Sequence, residues 1–140
     1  MNKHLIPRDV GATSTVVAAS TKSTSAFEAR IGRTYHFESA HHLPLLPDGH
    51  KCKNVHGHNY RVDVILRGHL DARGFVKDFA EIDAEVAPLI KMLDHHLLNE
   101  IAGLENPTAE IIAAWLFQRI EGCESVKVFE NDSSWAEVSV

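Results

Sequence analysis

Beyond Phe27 apolar and polar positions alternate along the chain. From Ile31 to His41, Tyr35, Phe37, Ser39 and His41 fall on one face, with His36, Glu38 and His42 on the other. Pro44, Pro47, Asp48 and Gly49 then interrupt the pattern and make a loop. Alternation returns at His56. His56, His58, Tyr60, Val62, Val64 and Leu66 share one parity, while Asn59, Arg61, Asp63 and Arg67 take the other. The pattern predicts two antiparallel strands, each with one apolar face.

The period then lengthens to that of a helix. Asp78-Phe79-Ala80-Glu81 resembles a capping box with an acidic cap. Beyond it Phe79, Ile82, Val86, Leu89, Ile90 and Leu93 recur at helical spacing, and Pro88 should kink or split the helix. Asn106-Pro107 reads as N-cap and first turn of a second helix. Its stripe is Ile112, Ala113, Trp115, Leu116 and Ile120, and Gly122 supplies the stop. Two short strands close the chain, Val126 to Asn131 and Trp135 to Val140. The order strand-strand-helix-helix-strand-strand, with the helices grouped, predicts an α+β fold with an antiparallel sheet.

Residues 1–27 show neither period. They are rich in Thr, Ser and Ala and read as a mobile N-terminal extension ahead of a single domain, residues 28–140. The apolar run Val16 to Ala19 is too short for a secretory signal, although a weak targeting leader is an alternative. The total length, 140 residues, leaves room for one domain of ordinary size. Nineteen acids against 14 bases give a net charge of −5, which argues against a nucleic-acid partner. No apolar run approaches the roughly 20 residues that span a bilayer, so no membrane partner is expected; a cytoplasmic location is a separate expectation. Two cysteines do not make a disulfide scaffold. Histidine is the outlier: there are ten, six of them between His36 and His58.

Histidines two apart on a strand project from one face, about 6–7 Å apart along the chain, and can reach one ion. His56-Gly57-His58 fits this spacing, and parity adds His41 from the preceding strand. Three inward imidazoles without an obvious fourth protein ligand would make the open zinc site that catalysis uses. A pair of surface histidines, or a structural site closed by Cys52, fits the same spacing. His36 and His42 read as solvent-facing.

Three further groups bear on acid–base chemistry. Cys52 lies between Lys51 and Lys53, whose ammonium groups, with a nearby cation, would favour a thiolate able to act as base or nucleophile. Cys123 reads as a small buried apolar residue. Asp94 beside His95 could orient an imidazole for proton transfer, or the pair could simply end the helix. Glu130 shares the parity of Val126 and Val128 and so continues an apolar face as an ionisable group. A ligand with paired N–H donors would suit it, and a strand-end position in solvent is the alternative.

These residues together resemble the 6-pyruvoyl-tetrahydropterin synthase superfamily, most closely its 6-carboxytetrahydropterin synthase branch, which serves queuosine biosynthesis. The matching segments are Phe37 to Leu43, Gly49 to Tyr60, Leu93 to His96, Gly103 to Glu110 and the strand bearing Glu130, in order from about residue 28 to the end. The resemblance implies the tunnelling fold, a four-stranded antiparallel sheet with two helices on one face. It also implies a homo-oligomer, a trimer or dimer of trimers (a homohexamer), with active sites between subunits. It places one Zn2+ per subunit on His41, His56 and His58, the catalytic base on Cys52 and the relay pair on Asp94 and His95. Glu130 falls on the pterin anchor, sometimes assigned to the relay, and Thr108 and Glu110 on the segment lining the pterin pocket.

The activity so implied is a zinc-dependent carbon–carbon lyase acting on 7,8-dihydroneopterin triphosphate. It would yield 6-carboxy-5,6,7,8-tetrahydropterin, acetaldehyde and triphosphate. The three residues between Cys52 and His56 match the carboxy branch, since the pyruvoyl-forming enzymes carry a longer insertion there. Residues 1–27, Lys53-Asn54 and Asp132 to Glu137 depart from the common family pattern. A pyruvoyl-forming or folate-pathway enzyme, a non-catalytic zinc- or pterin-binding module and a purely structural zinc domain are the competing readings.

Overall fold

The computed structural model describes residues 11, 13 and 15–140. The expected mobility of residues 1–27 falls partly outside these, since 1–10, 12 and 14 are not described. The two alternating segments form β1 (Glu28–His41) and β2 (His56–His69), each 14 residues long. They pair antiparallel from Glu28↔His69 to His41↔His56 without a break. The chain continues through α1 (Phe79–Leu93), α2 (Ala109–Phe117), β3 (Cys123–Asn131) and β4 (Ser134–Ser139). The sheet has the order β1-β2-β3-β4 with antiparallel neighbours.

Strand parity decides which face is buried. Tyr60, Val62 and Val64 of β2 and Val126 and Val128 of β3 are fully buried, in one cluster with Ile82, Val86 and Leu93 of α1 and Ile112 and Leu116 of α2. Each such side chain contributes about 1.5–3 kcal/mol by leaving water. Both helices therefore cover the same face. The opposite face is polar and cross-linked, as by Asp63 accepting from Thr34 (2.8 Å) and pairing with Arg61 (2.8 Å).

Three local expectations are corrected. α1 is a single helix through Pro88, so the split does not occur. Pro88 and Ala84 are both exposed, so water can satisfy the Ala84 carbonyl that lacks a partner. Phe79, expected in the apolar stripe, is exposed at the first turn with the Arg33 guanidinium 5.6 Å from its ring centroid. α2 begins at Ala109 rather than at Pro107. Its N-cap is Thr108, whose hydroxyl accepts from the Ile111 N–H at 3.2 Å. Asn106-Pro107 forms the preceding turn, which frees the Pro107 carbonyl for another partner.

Two side chains also differ from their expected surroundings. His42 is half-buried, its backbone bridged on both sides by the Asn99 amide. Cys123 is half-buried, with its thiol within reach of the Ile65 and Ser125 carbonyls, and burial pushes the thiol up to about 11.

Candidate functional site

His41 and His56 face each other across the β1–β2 ladder, and His58 lies two residues further along β2 on the same face. One ring nitrogen from each falls within 4.8 Å of the other two, an arrangement that could hold a metal ion. Gly57 lets the strands close here, since a Cβ on it would come within 3.3 Å of the Ser39 carbonyl oxygen.

The hydrogen bonds fix which ring atoms are free. His41 Nδ1 lies 2.8 Å from the Pro107 carbonyl and His56 Nδ1 lies 2.8 Å from the Asn54 carbonyl. Carbonyl oxygens only accept, so in the neutral rings both Nδ1 atoms carry the proton and both Nε2 atoms present bare lone pairs. Those two Nε2 atoms are 3.0 Å apart. Two lone pairs at that distance repel unless a cation lies between them. Nitrogens sharing one tetrahedral zinc stand about 3.3 Å apart at the usual Zn–N length of about 2.0–2.1 Å. His58 Nε2 is buried without a hydrogen-bond partner, a third donor aimed at the same place. Burial lowers the pKa of both His41 and His58, favouring the neutral form that ligates. The donor set therefore fits a borderline divalent ion such as zinc.

A cavity of about 430 Å3 opens beside the trio, lined by all three histidines together with Lys51, Cys52 and Glu130. Cys52 lies in a one-turn helix, Lys51–Lys53, capped by the His50 ring, which accepts from the Cys52 N–H at 3.1 Å. The Cys52 carbonyl accepts from Leu43 N at 2.8 Å, tying this turn to the end of β1. Lys53 is paired with Asp48. Glu130 extends the inward row of β3, its side chain 23% exposed and its carboxylate 3.9 Å from His58 Nε2. Thr108 and Glu110 meet Glu130 at an adjoining cavity of about 300 Å3.

Asp94 and His95 approach from α1. Asp94 is the C-cap of that helix, and His95 has φ +57°, a left-handed conformation uncommon for a residue other than glycine. This turns the chain around the outer edge of β1, where His95 N donates to Glu38 O (2.6 Å) and Ala40 N to His96 O (3.1 Å). Asp94 Oδ1 accepts from Glu38 N at 3.0 Å and lies 2.9 Å from His95 Nδ1. The Glu38 amide and the His95 ring hold the Asp94 carboxyl below its usual range, and the Asp94 carboxylate raises the His95 pKa.

The structure thus brings Cys52 and Glu130 to the trio, joins Asp94 to His95 directly, and gathers Thr108 and Glu110 with Glu130. Sequence reasoning missed the Pro107 carbonyl, which sets the His41 tautomer, and Glu38, which alternation placed on the polar face. Neither leaves a local signal, because each contact joins residues 56 or more apart.

Comparison with known proteins bears on the family and the fold. A family model described as 6-pyruvoyl tetrahydropterin synthase matches residues 30–140. A 6-carboxy-5,6,7,8-tetrahydropterin synthase of Synechocystis is 41% identical over 117 residues, covering 76% of this chain and 89% of that protein. A dihydroneopterin monophosphate aldolase of Pyrococcus furiosus is 34% identical over 93 residues, covering 66% and 75%. The structure of the Caenorhabditis elegans 6-pyruvoyl tetrahydropterin synthase superposes with a TM-score of 0.74 at 25% identity, covering 81% of this chain and 96% of that one.

Proposed function

Because this chain belongs to the 6-pyruvoyl tetrahydropterin synthase family, we propose that it is a zinc-dependent lyase. With one water consumed, it converts 7,8-dihydroneopterin triphosphate to 6-carboxy-5,6,7,8-tetrahydropterin, with release of acetaldehyde and triphosphate. The observation that carries this reading is the pair of opposed Nε2 lone pairs on His41 and His56, 3.0 Å apart, beside the unpartnered His58 Nε2. When bound, zinc supplies a Lewis acid for the oxygens of the substrate side chain.

The chain's own residues do the rest. His41, His56 and His58 hold the ion, oriented by the Pro107 and Asn54 carbonyls. Cys52, at the cavity wall, takes a proton from the substrate side chain. His95, oriented by Asp94, returns a proton from the rim. Glu130 accepts the paired N–H donors of the pterin edge. Thr108 spends only a lone pair on capping α2, so its hydroxyl proton remains available to substrate. Glu110 lines the pocket next to it. The proposal extends to a homo-oligomer, a trimer or dimer of trimers, in the cytoplasm, serving queuosine biosynthesis.

The test is to incubate the zinc-loaded protein with 7,8-dihydroneopterin triphosphate and identify every product by mass. Acetaldehyde and triphosphate in equal amounts with the carboxypterin are expected. The relative named as an aldolase favours one rival outcome, cleavage of the monophosphate to a two-carbon aldehyde fragment. A pterin product with its three-carbon side chain intact would point to the pyruvoyl reaction. Zinc and pterin binding without turnover of either phosphate would overturn the enzyme reading.

A further inference from the structure

The Asp94–His95 pair is built on Glu38, whose two backbone polar groups are hydrogen-bonded to it and whose exposed carboxylate stands at ion-pair distance from the ring. Its N–H donates to Asp94 Oδ1 (3.0 Å), its carbonyl accepts from His95 N (2.6 Å), and its carboxylate stands 3.8 Å from His95 Nε2. Asp94 holds the other ring nitrogen at 2.9 Å. The imidazole is therefore bracketed by a carboxylate on each nitrogen. His95 needs this bracket. Its side chain is 73% exposed and its backbone is in the left-handed region, so no packing fixes the ring.

We propose that Glu38 is a positioning residue of the lyase, its carboxylate fixing the ring of His95 from the Nε2 side as Asp94 does from the Nδ1 side. The inference rests on the functional reading above, in which His95 donates to substrate. Nε2 is the nitrogen left for that donation, and the Glu38 carboxylate keeps its N–H directed at the rim until a substrate oxygen takes the place. Two flanking carboxylates also favour the imidazolium, the state a proton donor starts from.

Other charges near the ring are few. His36 precedes Glu38 on the same face of β1 and lines the same cleft, His96 follows in the turn, and β2 contributes Asn59 and Tyr60. None of them carries a carboxylate, so among the described residues Asp94 and Glu38 are the two carboxylates acting on the ring.

Glu38→Gln tests the proposal, because it removes the charge while preserving shape and both backbone contacts. In the zinc-loaded protein the His95 ring, followed residue by residue by NMR, should titrate at lower pH in Glu38→Gln than in wild type. The kcat should fall about fivefold with KM unchanged, its alkaline limb should move to lower pH, and Glu38→Asp should restore part of the loss. Zinc content and melting temperature should match wild type. An unmoved His95 titration with an unmoved pH–rate profile overturns the proposal. A moved titration in a protein that turns over no pterin leaves Glu38 acting on the ring but removes the lyase reading instead.

Discussion

His41 is fully buried, and burial lowers its pKa. His95 has its side chain 73% exposed, and the Asp94 carboxylate raises its pKa. These two rings line separate cavities and are prepared for opposite tasks. A ligand must offer a lone pair, so His41 is kept neutral by a dry environment, while the carbonyl on Nδ1 fixes the tautomer that leaves Nε2 bare. A proton donor must start charged, so His95 stays in water between carboxylates. The means of placement differ as well. His41, His56 and His58 stand on two paired strands, where register alone brings three rings together. His95 stands on a turn that only α1, β1 and two long-range backbone hydrogen bonds can place.

The sharpest way to break this contrast is to remove a ring from each set. His58→Ala should lower zinc affinity by more than about 100-fold, beyond the 10–100-fold typical of outer-shell changes, and abolish turnover. Bound zinc per chain after dialysis is the measurement. His95→Asn, which suits the left-handed backbone, should keep its zinc. If both variants lost zinc, the trio would not be the metal site by itself. Next in size is Cys52→Ala. Turnover should fall about 10²–10⁴-fold while zinc and pterin affinity hold. Loss of zinc from this variant would make Cys52 a fourth ligand and the site a closed one, erasing the distinction between buried ligands and a reactive rim.

The same contrast explains what could be read from the amino-acid sequence. Strand alternation is local arithmetic, so the parity of Phe37, Ser39 and His41 and of His56, His58 and Tyr60 announced the inward faces, and both β1 and β2 carry them inward. Glu130 was legible for the same reason, as one more member of the Val126 and Val128 row. The rim was not. Whether Asp94 would face His95 depends on a left-handed conformation after the C-cap, which no spacing predicts. The start of α2 was misplaced by two residues because Asn-Pro is a good helix opening in isolation. Here the Pro107 carbonyl is drawn to the His41 ring, 66 positions away, and Thr108 caps instead. Contacts across such separations are decided by the assembled sheet.

The smallest expected effect separates the two kinds of histidine through pH. His95 has a folded pKa above its ordinary value of 6.5, so its pairing with Asp94 contributes fully below that pH, where the unfolded chain is protonated as well. As pH rises through the folded pKa, the ring loses its proton and the contribution fades. Asp94 stays ionised across this window because its own pKa is lowered. The melting temperature of wild type minus that of His95→Asn should therefore be largest near pH 6 and shrink as pH increases. The difference should not exceed about 2 °C, because a solvent-exposed ion pair is heavily screened. Effects of the buried trio are common to both proteins and cancel in the subtraction. A difference that grew with pH instead would mean that His95 is neutral when folded. It would then resemble His41, and the contrast between the two rings would reduce to one of exposure.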